Sequence, residues 1–172
     1  MSSIKIKKIN FPGVHIIEHR HSGDKRGFLN RIFDIKLFKS KKFAFSPKVM
    51  NYSFNKKKGT FRGFHYQSSP FQDKKIVSCV SGKVLDICVY IKKNRTEPYN
   101  LFKIELSWDD NISLLLSGNI AHGFQTLKNN SSLIYLHDQH YYRNYDKNIK
   151  LTDKKINIKL PLKITNIAKK DF

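Results

Sequence analysis

A chain of 172 residues, 40% hydrophobic and 13% aromatic, has the length of one domain, can bury a core without disulfides or metal, and is too apolar to be disordered. Its 33 Lys and Arg against 13 Asp and Glu leave a formal charge of +20, which invites a polyanion, because clustered cations release counterions from phosphate. The lysines are spread from Lys5 through Lys56, Lys57, Lys58, Lys92 and Lys93 to Lys170 and form no single arm or stripe, so the charge reads as a solvated surface and argues against nucleic acid as the main partner.

In chain order, 14–18 and 28–34 look extended, and 33–41 has room for one short helix with poor caps. The stretch 75–80 reads as a strand, Ser81-Gly82 as a turn and 83–91 as the returning strand. A strand over 101–107 leads through the turn Asp109-Asp110-Asn111 to another over 112–116, and 124–127 and 133–137 flank the turn Asn129-Asn130. The Lys-, Ile- and Asn-rich end around Pro161 looks like a tail wrapped on the barrel. Short apolar runs between turn residues, with no sustained helical period, repeat or Gly/Ser linker, are the pattern of an all-β sandwich or barrel.

Cys79 and Cys88 lie in apolar runs outside any C-x-x-C pair, which fits two buried thiols in a reducing compartment. The basic start leads into no apolar leader, and no run is long enough to span a bilayer, so the expectation is a cytoplasmic protein with no membrane partner.

Seven histidines raise a metal site, but convergence on one ion needs close His or carboxylate spacing. His65 and His122 have none, and the H-x-H pair His19 and His21 lies in a polar loop-like stretch, so the expectation is no metal. The segment 59–67, GTFRGFHYQ, offers different chemistry. Strict alternation puts Arg62 and Phe64 on one face and Phe61, Gly63 and His65 on the other, whereas strand twist or a bulge at Gly63 would bring Arg62 and His65 to a common pocket. A histidine beside a cation keeps a neutral ring suited to act as a base near pH 7, although a lone histidine is more often structural.

GTFRGFHYQ (59–67), KIVSCVSGKVLDICVYIKK (75–93), NIAHGFQTL (119–127) and LIYLHDQHYY (133–142) together resemble the dTDP-4-dehydrorhamnose 3,5-epimerase family. Asp24-Lys25-Arg26-Gly27-Phe28 is similar to its D-x-R-G-F element, Asn51-Tyr52-Ser53 to its N-x-S element, and Ala168-Lys169-Lys170-Asp171 to its S-x-K-D ending with Ala in place of Ser. Val49 stands where the family usually has Gln, and the chain stops one residue after Asp171, as in the family's short branch.

The resemblance implies a cupin-like jelly-roll β-barrel with a few short helices, a strand-exchanged homodimer and no cofactor. The chain would be one domain over 1–172: N-terminal strands and dimer arm over 1–50, barrel core over 51–145, and a tail carrying Asp171 over 146–172. The implied substrate is a nucleotide-linked 4-keto-6-deoxyhexose inverted at C3, C5 or both, for deoxysugars of surface polysaccharide such as lipopolysaccharide O-antigen. His65 would be the base with Asp171 as its carboxylate partner, Lys75 would stabilise the enolate with Asp86 on the paired strand holding it, and Tyr135 would be the acid on the opposite face. Arg62, Asn51, Gln67, His122 and Tyr141 would line the pocket. Arg26 and Phe28, from this subunit or its neighbour, would contact the nucleotide. Two other readings stay open: a sugar 3,4-ketoisomerase on a related barrel, which needs no tyrosine opposite the histidine, and a non-catalytic basic barrel that binds a nucleotide-sugar or polyanion.

Overall fold

Left-handed backbone at Gly82 (φ 70), Asn111 (φ 56) and Asn130 (φ 54) marks three tight turns, at residue types that adopt positive φ with little strain. The protein is described by a computed structural model over residues 4–20, 22–40, 43–91 and 98–172; His21, Lys41, Lys92 and Lys93, invoked above, lie outside the described residues. Its strands are β1 (Ile4–Lys8), β2 (Val14–His19), β3 (Ser22–Asp24), β4 (Gly27–Leu29), β5 (Val49–Asn55), β6 (Thr60–Gln67), β7 (Lys75–Ser81) and β8 (Lys83–Tyr90). There follow β9 (Asn100–Ser107), β10 (Ile112–Leu116), β11 (Ile120–Thr126), β12 (Ser131–His137), β13 (Asp146–Asn148) and β14 (Asn166–Ile167), with one α-helix, α1 (Ile35–Ser40), and a 3-10 turn (Arg143–Tyr145) among the described residues.

The first sheet runs β1-β2-β10-β7-β12-β5, the second β13-β6-β11-β8-β9, with β14 also on β6 and β3-β4 as a separate hairpin. The expected all-β jelly roll is therefore the observed architecture, but the expected returning strands are corrected. β7 pairs with β10 and β12, whereas β8 pairs with β9 and β11. Gly82 turns the chain from one sheet into the other, as do the β9–β10 and β11–β12 turns. Turn chemistry reports that the chain reverses; it does not report whether the next strand joins the same sheet or the facing one.

Three apolar layers follow from which faces are apolar. Between the sheets, Val14, Val77, Leu114, Leu116 and Leu133 pack against Val84, Cys88, Leu106, Ile120 and Phe124. On the outside of the first sheet, Ile17, Ile76 and Leu115 are covered by Phe38 and Phe45. The helix that brings Phe38 in is capped after all: Asp34 Oδ1 accepts the Lys36 and Leu37 N–H groups at 3.0 and 3.2 Å, the usual N-cap arrangement. On the outside of the second sheet, Phe61, Phe64, Ile87 and Val89 are covered by Ile149, Ile156, Leu160 and Ile164 of the tail. Each fully buried Phe contributes about 1.5–3 kcal/mol, so this layer fixes the tail, and with it Asp171, against β6.

β6 departs from simple alternation. Its pairing with β11 matches His65 to His122 but Arg62 to Phe124, so three steps on β6 oppose two on β11. The extra residue is a bulge at Gly63, which takes φ 128 and approaches β11 so closely that a Cβ there would lie 2.4 Å from Gly123 Cα. Phe61 and Phe64 consequently share the outer layer, and Arg62 and His65 turn inward together.

Candidate active site

The inter-sheet space is apolar at one end and polar at the other, where two lobes of about 280 and 260 Å³ share Asn51, His65, Lys75 and His137. The walls come from opposite sheets. On the first sheet, His137 of β12 sits in register with Val49 and Lys75, and Tyr135 with Asn51 and Val77. On the second, the bulge presents His65 and Arg62, and β11 presents His122.

His65 Nε2 lies 2.8 Å from Asp171 Oδ1. The carboxylate only accepts, so Nε2 carries the proton and Nδ1 is the basic nitrogen. Asp171 is 2% exposed; its Oδ2 accepts the Gly63 N–H at 3.2 Å, and Asn148 Nδ2 reaches its Oδ1 at 3.5 Å. Burial lowers the His65 pKa below the ordinary 6.5, and the hydrogen bond and charge of Asp171 oppose that shift. The ring is thus neutral near pH 7 and is pre-oriented by a carboxylate that stabilises it once it takes a proton.

On the facing wall, burial foremost, with the Asp86 charge adding to it, pushes the Tyr135 phenol well up, so it keeps its proton and can only donate it. Lys75 Nζ lies 3.4 Å from Asp73 Oδ2, with both side chains buried. This corrects the expected Lys75–Asp86 pair: β7 and β8 lie in different sheets, and Asp86, fully buried, accepts from His122 Nε2 at 2.7 Å. Asp73 also accepts from His137 Nδ1 at 2.7 Å, and His137 Nε2 lies 3.3 Å from Asn51 Nδ2.

Other expected residues fall in several places. Arg62 lines the inner lobe and donates from Nε to Asn55 Oδ1 at 2.8 Å. Tyr141 lies at the outer lobe, its hydroxyl donating to Asp146 Oδ2 at 3.2 Å, and the Asp146 charge raises its pKa. Gln67 lines the same lobe, but its amide is occupied: Nε2 donates to Phe71 O and His140 O, and Oε1 accepts the Tyr142 N–H. Arg26 is exposed and paired with Asp24, and Phe28 stacks on Trp108 at 5.9 Å; neither lines either lobe of its own chain. Sequence reasoning missed Asp73, His137 and Asn148. His137 was findable, since a two-residue step from Tyr135 on a strand stays on the same face.

Among the described residues no three His, Cys, Asp or Glu side chains are placed to hold a metal ion, and no helix is long and apolar enough to cross a membrane. A neutral, carboxylate-backed imidazole facing a protonated phenol across a cleft defines a jelly-roll enzyme of acid–base type.

The comparisons with known proteins agree. The family model described as dTDP-4-dehydrorhamnose 3,5-epimerase matches residues 8–172. The enzyme of that name from Shigella flexneri is 30% identical over 169 residues, 98% of this chain and 93% of its own length. The crystal structure of the Bacillus anthracis dTDP-4-dehydrorhamnose 3,5-epimerase, with TDP and PPi bound, matches with TM-score 0.90 at 28% identity over 98% of this chain and 96% of that one. A Legionella pneumophila dTDP-6-deoxy-D-glucose-3,5-epimerase in complex with dTDP-4-keto-L-rhamnose matches with TM-score 0.85 at 25% identity over 98% and 89% of the two chains. This chain belongs to the dTDP-4-dehydrorhamnose 3,5-epimerase family.

Proposed function

We propose that the protein is an epimerase that inverts the carbons flanking the C4 ketone of a dTDP-linked 4-keto-6-deoxyhexose, in deoxysugar synthesis for surface polysaccharide. The observation that carries this reading is the placement of His65 and Tyr135 on facing sheets. Inversion needs a proton removed from one face of the sugar and returned to the other, and a base and an acid on opposite walls do that.

In this mechanism His65 Nδ1 takes the C–H proton next to the ketone, and the resulting imidazolium is stabilised by Asp171. Charge moves onto the C4 oxygen, where Lys75, oriented by Asp73, offsets it in a site of low dielectric. Tyr135 returns a proton from the first-sheet side, and the ketone re-forms. A sugar 3,4-ketoisomerase would have no use for a phenol held protonated opposite the base. Arg62, with its fork of donors, suits the pyrophosphate.

The reading includes a homodimer. Met50, Tyr52 and Phe54 are exposed in alternation along the edge strand β5, a face that a second copy would cover. Arg26 and Phe28, away from their own cleft, are then available to the partner's nucleotide. Cys79 and Cys88 are free and buried, in keeping with the reducing cytoplasm.

The test is incubation of the protein with dTDP-4-keto-6-deoxyglucose in deuterated water, followed by mass spectrometry of the sugar. Deuterium at the carbons flanking the ketone is the expected result. No uptake from this substrate would overturn the proposal.

A further inference from the structure

We propose that His137, backed by Asp73, is a second proton donor on the first-sheet wall, serving one of the two carbons that flank the ketone while Tyr135 serves the other. This inference rests on the epimerase reading above.

Three histidines line the cleft, and each is tied to a buried aspartate: His65 to Asp171 at 2.8 Å, His122 to Asp86 at 2.7 Å and His137 to Asp73 at 2.7 Å. The His122–Asp86 pair is shut in, with side-chain exposures of 6% and 0%. The His137 ring is 17% exposed and borders both lobes. Its Nδ1 donates to Asp73, so Nε2 is the nitrogen turned to the cleft, where it accepts from Asn51 Nδ2 at 3.3 Å. His137 therefore has the same construction as the base, an imidazole held by a buried carboxylate with its other nitrogen toward the substrate space, but on the opposite wall.

Its position relative to the enolate site is equally specific. His137 is the cross-strand partner of Lys75, and Asp73 Oδ2 touches both side chains. Tyr135 lies two residues along the same strand, its ring centroid 5.9 Å from that of His137. A sugar whose ketone oxygen is held at Lys75 presents its two flanking carbons to two different points of this wall, and each point carries a group able to donate a proton. One donor alone would have to be reached by both carbons in turn.

The step balances without any redox partner. His65 takes the proton, the C–H electron pair becomes the enolate C=C bond, and the carbonyl π pair moves to oxygen. His137, held through Nδ1 by Asp73, takes a proton from water on Nε2 in place of its hydrogen bond from Asn51 and gives that proton to the opposite face of that carbon. The C=C pair forms the new C–H bond and the ketone returns. His65 then loses its extra proton to water, and His137 is left neutral, as it began.

The deciding variants are His137→Asn and Asp73→Asn, assayed with dTDP-4-keto-6-deoxyglucose in deuterated water, with inversion at C3 and C5 read separately by NMR of the product. Asn places an amide N–H near the position of Nδ1, so His137→Asn keeps the anchor on Asp73 and removes only the donating nitrogen. The expected result is inversion at both carbons for the wild type, and for His137→Asn inversion at one carbon near the wild-type rate and at the other reduced by about 10²-fold or more. Asp73→Asn, which also disturbs Lys75, should slow both. Equal rates at both carbons in His137→Asn, whether unchanged or reduced together, would overturn the inference, as would a wild type that inverts a single carbon. A wild type that incorporates no deuterium at all would overturn the epimerase reading itself, a distinguishable outcome. Circular dichroism melting of each variant separates loss of fold from loss of chemistry.

Discussion

The two halves of the inter-sheet space are built by the same strands and do opposite things. β12 places Leu133 in the dry half and Tyr135 and His137 in the cleft; β7 places Cys79 and Val77 in the first and Lys75 in the second; β11 does the same with Phe124 and His122. One step of two residues along a strand, about 6.6 Å, takes the chain from packing to chemistry. The dry half holds the sheets apart at a fixed spacing, and that spacing sets the distance between His65 and Tyr135. Stability and catalysis are separable along each strand, so a substitution in either half should affect one and spare the other.

The largest effect belongs to the cleft. His65→Ala should lower kcat by about 10²–10⁴-fold in a steady-state assay, with a melting temperature close to that of the parent, because His65 is half-buried and outside the apolar clusters. A large loss of stability in that variant would show the two halves to be coupled. The converse variant is Leu133→Ala, fully buried in the dry half, which should cost about 2–5 kcal/mol by denaturant unfolding and leave kcat of the folded fraction nearly intact. Gly63→Ala joins the halves: its Cβ would fall 2.4 Å from Gly123 Cα at a φ of 128, a strain of about 1–3 kcal/mol. Because the Gly63 N–H also holds Asp171, both the melt and kcat should fall.

The smallest effect is on pH. Burial lowers the His65 pKa below 6.5, so the fold favours the neutral ring. The resulting stability is present above the ordinary histidine value and is lost as pH falls through the folded one. The base form also persists to lower pH, so the acid limb of kcat/KM should lie below 6.5. Asp171 raises this pKa against the effect of burial, so an NMR titration of the His65 ring should show a still lower value in Asp171→Asn. A value above 6.5 in the parent would contradict the burial argument.

What could be read from the sequence was local. The strands around Val77, Ile87 and Leu114 follow from alternation and turn residues; Gly63 marks a departure from alternation between Arg62 and His65 that either twist or a bulge would produce, and the structure shows a bulge. The sheet to which each strand belongs cannot be read this way, because Gly82, Asn111 and Asn130 serve a hairpin and a sheet-to-sheet corner equally well. The Lys75–Asp86 expectation failed for that reason, since it assumed that β7 and β8 pair. Asp73 was missed because its hydrogen bond to His137 spans 64 residues and it belongs to no recognisable element, whereas His137 lies inside LIYLHDQHYY and follows from a two-residue step beyond Tyr135. Arg26 and Phe28 lie away from the cleft of their own chain, and nothing in their own stretch of sequence fixes which subunit's nucleotide they would meet.

In the proposed mechanism proton removal and proton return are divided between the two walls. Single-turnover reaction of Tyr135→Phe with dTDP-4-keto-6-deoxyglucose in deuterated water tests it directly, with stereochemistry and deuterium content read at each carbon by NMR. The account predicts that deuterium still enters at the carbon Tyr135 serves but with retention of configuration, because His65 on the second sheet continues to remove and return protons on one face. Inversion at both carbons at the parent rate would contradict it.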